Sequence, residues 1–118
     1  MKNIFGKYIR EKRELLREND TSYSLRKVAG AIQVQPSYLS KIERGDEAPP
    51  SEEKIVLLAN VLGEDPDVLL ALAGKVSTDL KETIRKRPQL FSRLIREIKD
   101  LPDHAILSIV REVRDGEW

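Results

Sequence analysis

Residues 24–45, SLRKVAGAIQVQPSYLSKIERG, leave few folds open. Ser24 is a natural helix N-cap, with a hydroxyl able to satisfy an orphan amide. Leu25, Val28, Ala29 and Ile32 follow at i, i+3, i+4 and i+7, the spacing of one buried helix face. Ala29 is small enough to let a second helix approach closely. Gln33-Val34-Gln35 then makes a turn, with Val34 pointing inward. Pro36 suits the first turn of the next helix, where a missing N–H costs nothing. That helix, PSYLSKIER, is anchored by Leu39 and Ile42 and ends at Gly45. Its outward side chains are Pro36, Ser37, Ser40, Lys41 and Arg44, with Tyr38 at the margin.

Two short helices joined by a tight turn, the second with a small, polar and basic exposed face, have the build of a helix-turn-helix. In that motif the second helix enters the DNA major groove. Charge distribution agrees. Residues 1–44 carry ten basic and five acidic side chains, whereas residues 45–75 carry two basic and seven acidic ones. One end is basic and the other acidic, as expected where one face meets phosphates. Uneven solvation of surface helices accounts for the same charges. The overall net charge of +1 argues for no partner by itself.

The rest of the chain also reads as helices. Residues 3–18 form the first, with an apolar stripe of Ile4, Phe5, Tyr8, Ile9, Leu15 and Leu16. Tyr23 is placed to staple the start of the next helix. After Ala48-Pro49-Pro50, Ser51 caps a fourth helix, and Glu52 and Glu53 complement its dipole. Ile55, Leu58, Ala59 and Leu62 form its core stripe and Gly63 closes it. Asp65 caps a fifth helix from Pro66, apolar nearly all round. Leu69 completes the core there, while Leu70 and Leu72 offer surplus apolar surface. Gly74 ends it. Three further helices are expected: from Ser77 to about Lys86, from Pro88, and from Pro102 to Asp115-Gly116.

The segment SLRKVAGAIQVQPSYLSKIERGDEAPPSEEKIVLLANVLGEDPDVLL resembles the XRE, or lambda-repressor-like, helix-turn-helix family. The matching signs are the SLRKVA opening, the YLSKIERG recognition helix, the Pro pair and the LLANVLG helix, over roughly residues 4–74. The resemblance implies an all-α fold. A five-helix DNA-binding domain would span residues 1–74, and a C-terminal helical extension of two to three helices residues 75–118. It implies a transcriptional regulator of bacterial or phage type, most simply a repressor binding a palindromic operator as a homodimer. XRE-like domains also form antitoxins, and some regulators with similar extensions resemble those inactivated by a companion metallopeptidase. Residues 76–118 would then meet a toxin or that metallopeptidase. One departure stands out. The family favours glycine in the turn, where φ is positive, and this chain has Gln33.

Position assigns roles within the motif. Gln35 and Ser37, at the start of the recognition helix, and Lys41, one turn on, are candidates for reading bases. The family's pattern adds Pro36 and Tyr38. For Gln35 the alternative is helix capping, and for Lys41 a phosphate contact. Ser24, Arg26, Lys27, Ser40 and Arg44 are candidates for phosphate contacts that set register. By resemblance, Arg13 and Glu43 form a structural ion pair. Leu90, Phe91, Leu94, Ile98, Ile106, Val110 and Val113 are candidates for dimerisation. Some forty residues in three short helices are too few to be secure alone, so internal packing is the alternative. Arg85-Lys86-Arg87 reads as a solvated helix end or a contact to flanking DNA.

Other classes find little support. There is no cysteine, so no disulfide framework, thiolate zinc site or thiol nucleophile. This suits a reducing cytoplasm. The N-terminus lacks a long apolar run, and neither a signal peptide nor a membrane span is expected. His104 with Asp100 and Asp103 reads as a helix-capping cluster rather than a metal site. No P-loop or Ser/His/Asp arrangement is recognisable. The expectation is a non-enzyme without cofactor or metal.

Overall fold

Short polar side chains set the helix starts. In the computed structural model, which describes residues 3–118, the Ser24 hydroxyl accepts the Lys27 amide at 3.3 Å, and the Ser51 hydroxyl accepts that of Lys54 at 3.4 Å. The Asp65 carboxylate accepts the Asp67 amide at 2.8 Å. These caps satisfy orphan N–H groups of the first turn. Eight α-helices result among the described residues. They are α1 (Ile4–Arg17), α2 (Leu25–Ala31), α3 (Pro36–Arg44), α4 (Glu52–Leu62), α5 (Pro66–Leu72), α6 (Thr78–Lys86), α7 (Pro88–Ile98) and α8 (Asp103–Asp115). A 3₁₀ turn, Thr21–Tyr23, joins α1 to α2. No strand occurs among the described residues, so the all-α expectation holds.

The chain divides into two compact units, Met1–Ser77 and Thr78–Trp118. Lys75 belongs to the first: its amide donates to Leu70 O at 2.9 Å and its ammonium to Pro50 O at 2.8 Å.

The core of the first unit draws on all five helices. Phe5 and Ile9 meet Val28, Ala29, Ile32, Leu39, Ile42, Ile55, Leu58, Ala59, Leu62, Leu69 and Leu70, all buried. Each large aliphatic side chain so buried stabilises the fold by about 1.5–3 kcal/mol. Tyr23, Leu25 and Val34 pack at the margin.

Three expectations need correction. Ile4 and Leu15 are exposed, at 43% and 60%. The buried row of α1 runs Phe5, Ile9, Arg13 in steps of four, and Leu15 lies well off that row. Leu70 is 1% exposed and belongs to the core, not to a surplus surface. The acidic residues near His104 do not cap α8, whose N-cap is Pro102 with no side-chain cap bond. Asp100 pairs with Lys99 instead, at 2.9 Å.

Helices α2 to α5 end alike. Within two residues of the helix end the chain turns left-handed, and the next amide reaches back to a carbonyl in the last turn: Val34 N to Ala29 O, Asp46 N to Lys41 O, Glu64 N to Ala59 O, and Lys75 N to Leu70 O. Gly45, Gly63 and Gly74 supply the positive φ in α3, α4 and α5, at 81°, 71° and 73°. At α2 the residue is Gln33, with φ 62°.

The second unit is built differently. α6 packs on α7, yet no side chain from Thr78 to Trp118 is buried. Ile84, Phe91, Ile98, Ile106 and Ile109 are half-buried, while Leu90, Leu94, Ile95, Leu107, Val110 and Val113 are exposed. The Trp118 indole N–H donates to Val113 O at 2.9 Å.

Candidate nucleic-acid interface

Helix α3 has two faces. Leu39, Ile42 and Glu43 point into the first unit; Ser37, Lys41 and Arg44 are exposed, and Pro36, Tyr38 and Ser40 are half-buried. Pro36 occupies the first turn. Gln35 is the N-cap residue, but its side chain makes no cap bond. Only its carbonyl serves the helix, accepting the amides of Tyr38 and Leu39 at 3.0 and 3.1 Å. Gln35 thus caps the helix through its backbone alone, which leaves its amide side chain exposed at the helix start. Tyr38 leans its ring on the core margin, so it shares its surface between packing and solvent.

The Arg13–Glu43 pair fixes how this face is held. Arg13 Nε and Nη2 donate to the two Glu43 oxygens at 2.8 and 2.9 Å. The same guanidinium reaches Glu14 at 3.1 Å and Tyr23 O at 3.3 Å. Both partners are buried, at 4% and 5% exposure. The hydrogen bond to Glu43 raises the guanidinium pKa, against the opposing effect of burial. One side chain thus ties α1, the 3₁₀ turn and α3 together. Beside it, the Asn3 amide donates to Glu43 O at 3.0 Å. Gly6 lies so near the Ile42 and Glu43 carbonyls that a Cβ would collide with them.

The phosphate candidates differ among themselves. Arg26, Lys27 and Lys41 are exposed and form no ion pair among the described residues. The Ser24 hydroxyl is occupied as the α2 cap. Arg44 is engaged within its own surroundings, donating to the Ser40 hydroxyl and to Asp46 Oδ2, the latter at 3.0 Å.

Sequence reasoning passed over three cations. Lys7 and Arg10 are exposed, unpaired among the described residues, and line a shallow groove with Asn3, Ile4, Glu43 and Arg44 beside the end of α3. Their i, i+3 spacing on α1 was the available signal. Lys54 was assigned no role; its ammonium reaches the α2–α3 turn, donating to Ile32 O at 3.0 Å and Gln33 O at 3.4 Å. Nothing in the spacing of residues 33 and 54 announces that contact.

An exposed polar face with a free lysine on the second of two helices, held from behind by a buried ion pair, is the arrangement that a major-groove reader needs. Comparison with known families agrees: the signature of a family described as helix-turn-helix matches residues 9–69. The chain belongs to the XRE, or lambda-repressor-like, helix-turn-helix family. Comparison with curated proteins and with solved structures gives no match. Membership makes the chain a DNA-binding transcriptional regulator. In this XRE-family regulator no helix among the described residues is long and apolar enough to cross a membrane. Nor do three or more His, Asp or Glu side chains among those residues gather as metal ligands.

Proposed function

We propose that the chain is a repressor that binds a palindromic operator as a homodimer. Each copy inserts residues 36–44 into one of two successive major grooves, and repression follows from blocking polymerase. The observation that carries this reading is the state of the α3 surface. Gln35, Ser37 and Lys41 are exposed with no side-chain partner among the described residues, on a helix whose opposite face is locked in the core. Pro36 and the Tyr38 edge complete the base-facing row. Arg26, Lys27, Ser24, Ser40 and Arg44 meet the backbone, and Lys7 and Arg10 extend that contact along α1.

The second unit supports the homodimer. Leu90, Leu94, Val110 and Val113 are 64%, 46%, 53% and 58% exposed, and Phe91, Ile98 and Ile106 only half-buried. Nine basic and eight acidic side chains over residues 78–118 leave little net charge to oppose self-association. The same apolar surface also fits a second reading, in which residues 76–118 bind a toxin or a companion metallopeptidase.

Gel shifts on duplexes recovered by binding-site selection test the first reading. Ser37→Ala and Lys41→Ala should each weaken binding by about 1–3 kcal/mol for a genuine base contact. Unchanged affinity for both sinks the assignment of α3. A symmetric consensus supports the homodimer. A wild-type chain that sediments as a monomer favours the partner-controlled reading.

A further inference from the structure

Helices α2 to α5 share one type of ending, and three of them meet its demand for positive φ with glycine. The exception is the ending that leads directly into α3, where Gln33 stands at φ 62°. A side chain in this region brings Cβ against the following carbonyl, so the conformation persists only if its surroundings hold it.

Besides the backbone bonds of the turn itself, one side chain from another helix, Lys54, reaches it. Its ammonium donates to Ile32 O at 3.0 Å and lies 3.4 Å from Gln33 O, the last two carbonyls before the chain turns. A cation there also meets the negative end of the α2 dipole. Lys54 is half-buried and has no acidic partner among the described residues. Its position on its own helix is unfavourable, since the first turn of α4 prefers the acids Glu52 and Glu53 that precede it. That misplacement is explained by the turn it reaches. The Ser51 cap on its amide fixes the register from which it reaches.

We infer that Lys54 is a positioning residue for DNA reading: it clamps the α2–α3 turn in the left-handed conformation and so sets the angle at which α3 is presented. The inference rests on α3 being the reading helix. It assigns no DNA contact to Lys54 itself.

The test is a double-mutant cycle on the full chain, using the duplex that wild-type protein selects and a random-sequence duplex. Lys54→Met keeps the aliphatic stem and removes the ammonium. It should lower affinity for the selected duplex about three- to tenfold, as expected for coupled neighbours. Random-duplex affinity and the salt slope should stay at wild-type values. Adding Gln33→Gly, which needs no clamp, should restore selected-duplex affinity to within about twofold, while Gln33→Gly alone should cost nothing. Binding is measured at low temperature on variants with wild-type circular dichroism. Should Lys54→Met fail to fold, Lys54→Gln and Lys54→Arg make the same comparison, Gln losing affinity and Arg retaining it.

Wild-type affinity in folded Lys54→Met overturns the inference, as does a loss that Gln33→Gly does not rescue. A parallel loss on random duplex with a shallower salt slope overturns it too, making Lys54 a phosphate contact. If Ser37→Ala and Lys41→Ala also leave binding unchanged, the failure lies in the choice of α3 and not in Lys54 alone.

Discussion

Arg13 and Glu43 show how little a single residue's type says about its task. Both belong to the charged third of the chain, yet both are buried and satisfy each other through two hydrogen bonds. Removing Glu43 leaves the buried Arg13 guanidinium with only the exposed Glu14 carboxylate as counterion. Glu43→Gln should therefore destabilise the first unit by about 3–5 kcal/mol in chemical denaturation. The double change Arg13→Met with Glu43→Leu should cost clearly less than the two single changes together. A sum of independent costs would mean that the pair does not act as a unit. The pairing itself was legible only by likeness to relatives. Along the sequence, Arg13 looks like any solvated cation of α1. Its place in the buried row that starts at Phe5 and Ile9 emerges only once the helix is seen to turn that face to α3.

Among elements, boundaries were the most legible part. Ser24, Ser51 and Asp65 caps, Pro36 and Pro66 in first turns, and glycines after α3 and α4 mark helix ends through chemistry local to a few residues. Faces were less legible where a helix is short or apolar all round. Leu70 is core because α5 packs closely on α4, a fact that no period within α5 contains. The resemblance foretold an ion pair between α1 and α3, but not how closely the two backbones approach. That closeness depends on Gly6, which reads as a helix-weakening residue until the Ile42 and Glu43 carbonyls are seen against it. Gly6→Ala should improve the propensity of α1 yet lower the stability of the unit. The expected net loss is about 1–3 kcal/mol from overpacking against backbone. A rise in melting temperature would show that α1 shifts to make room.

For the whole molecule, the two units contrast in how far each covers its own apolar side chains. Among the described residues, the first buries a core of thirteen aliphatic and aromatic side chains, and the second none. An unburied apolar stripe on α7 and α8 is stabilised by whatever covers it, and association then enters the folding equilibrium through mass action. In a homodimer, melting of residues 78–118 should rise with protein concentration over a hundredfold range, followed by Trp118 fluorescence. Leu94→Glu should abolish that dependence and leave the first unit's transition unchanged. A concentration-independent transition in wild type would remove self-association as the cover.

Arg44 carries a consequence for how such a regulator finds its site. Its guanidinium already rests on Asp46 and the Ser40 hydroxyl. Meeting a phosphate is then an exchange of partners and not the capture of a bare anion. An exchange gains less from random DNA than an unpaired cation would, while at the correct site the neighbouring base contacts make up the difference. On the proposed reading, the free cations around α3 would grip any duplex, and Arg44 would join them at greatest advantage where the sequence is right. Time spent on wrong sequence would then shorten, with the search proceeding more by release and re-encounter than by long sliding.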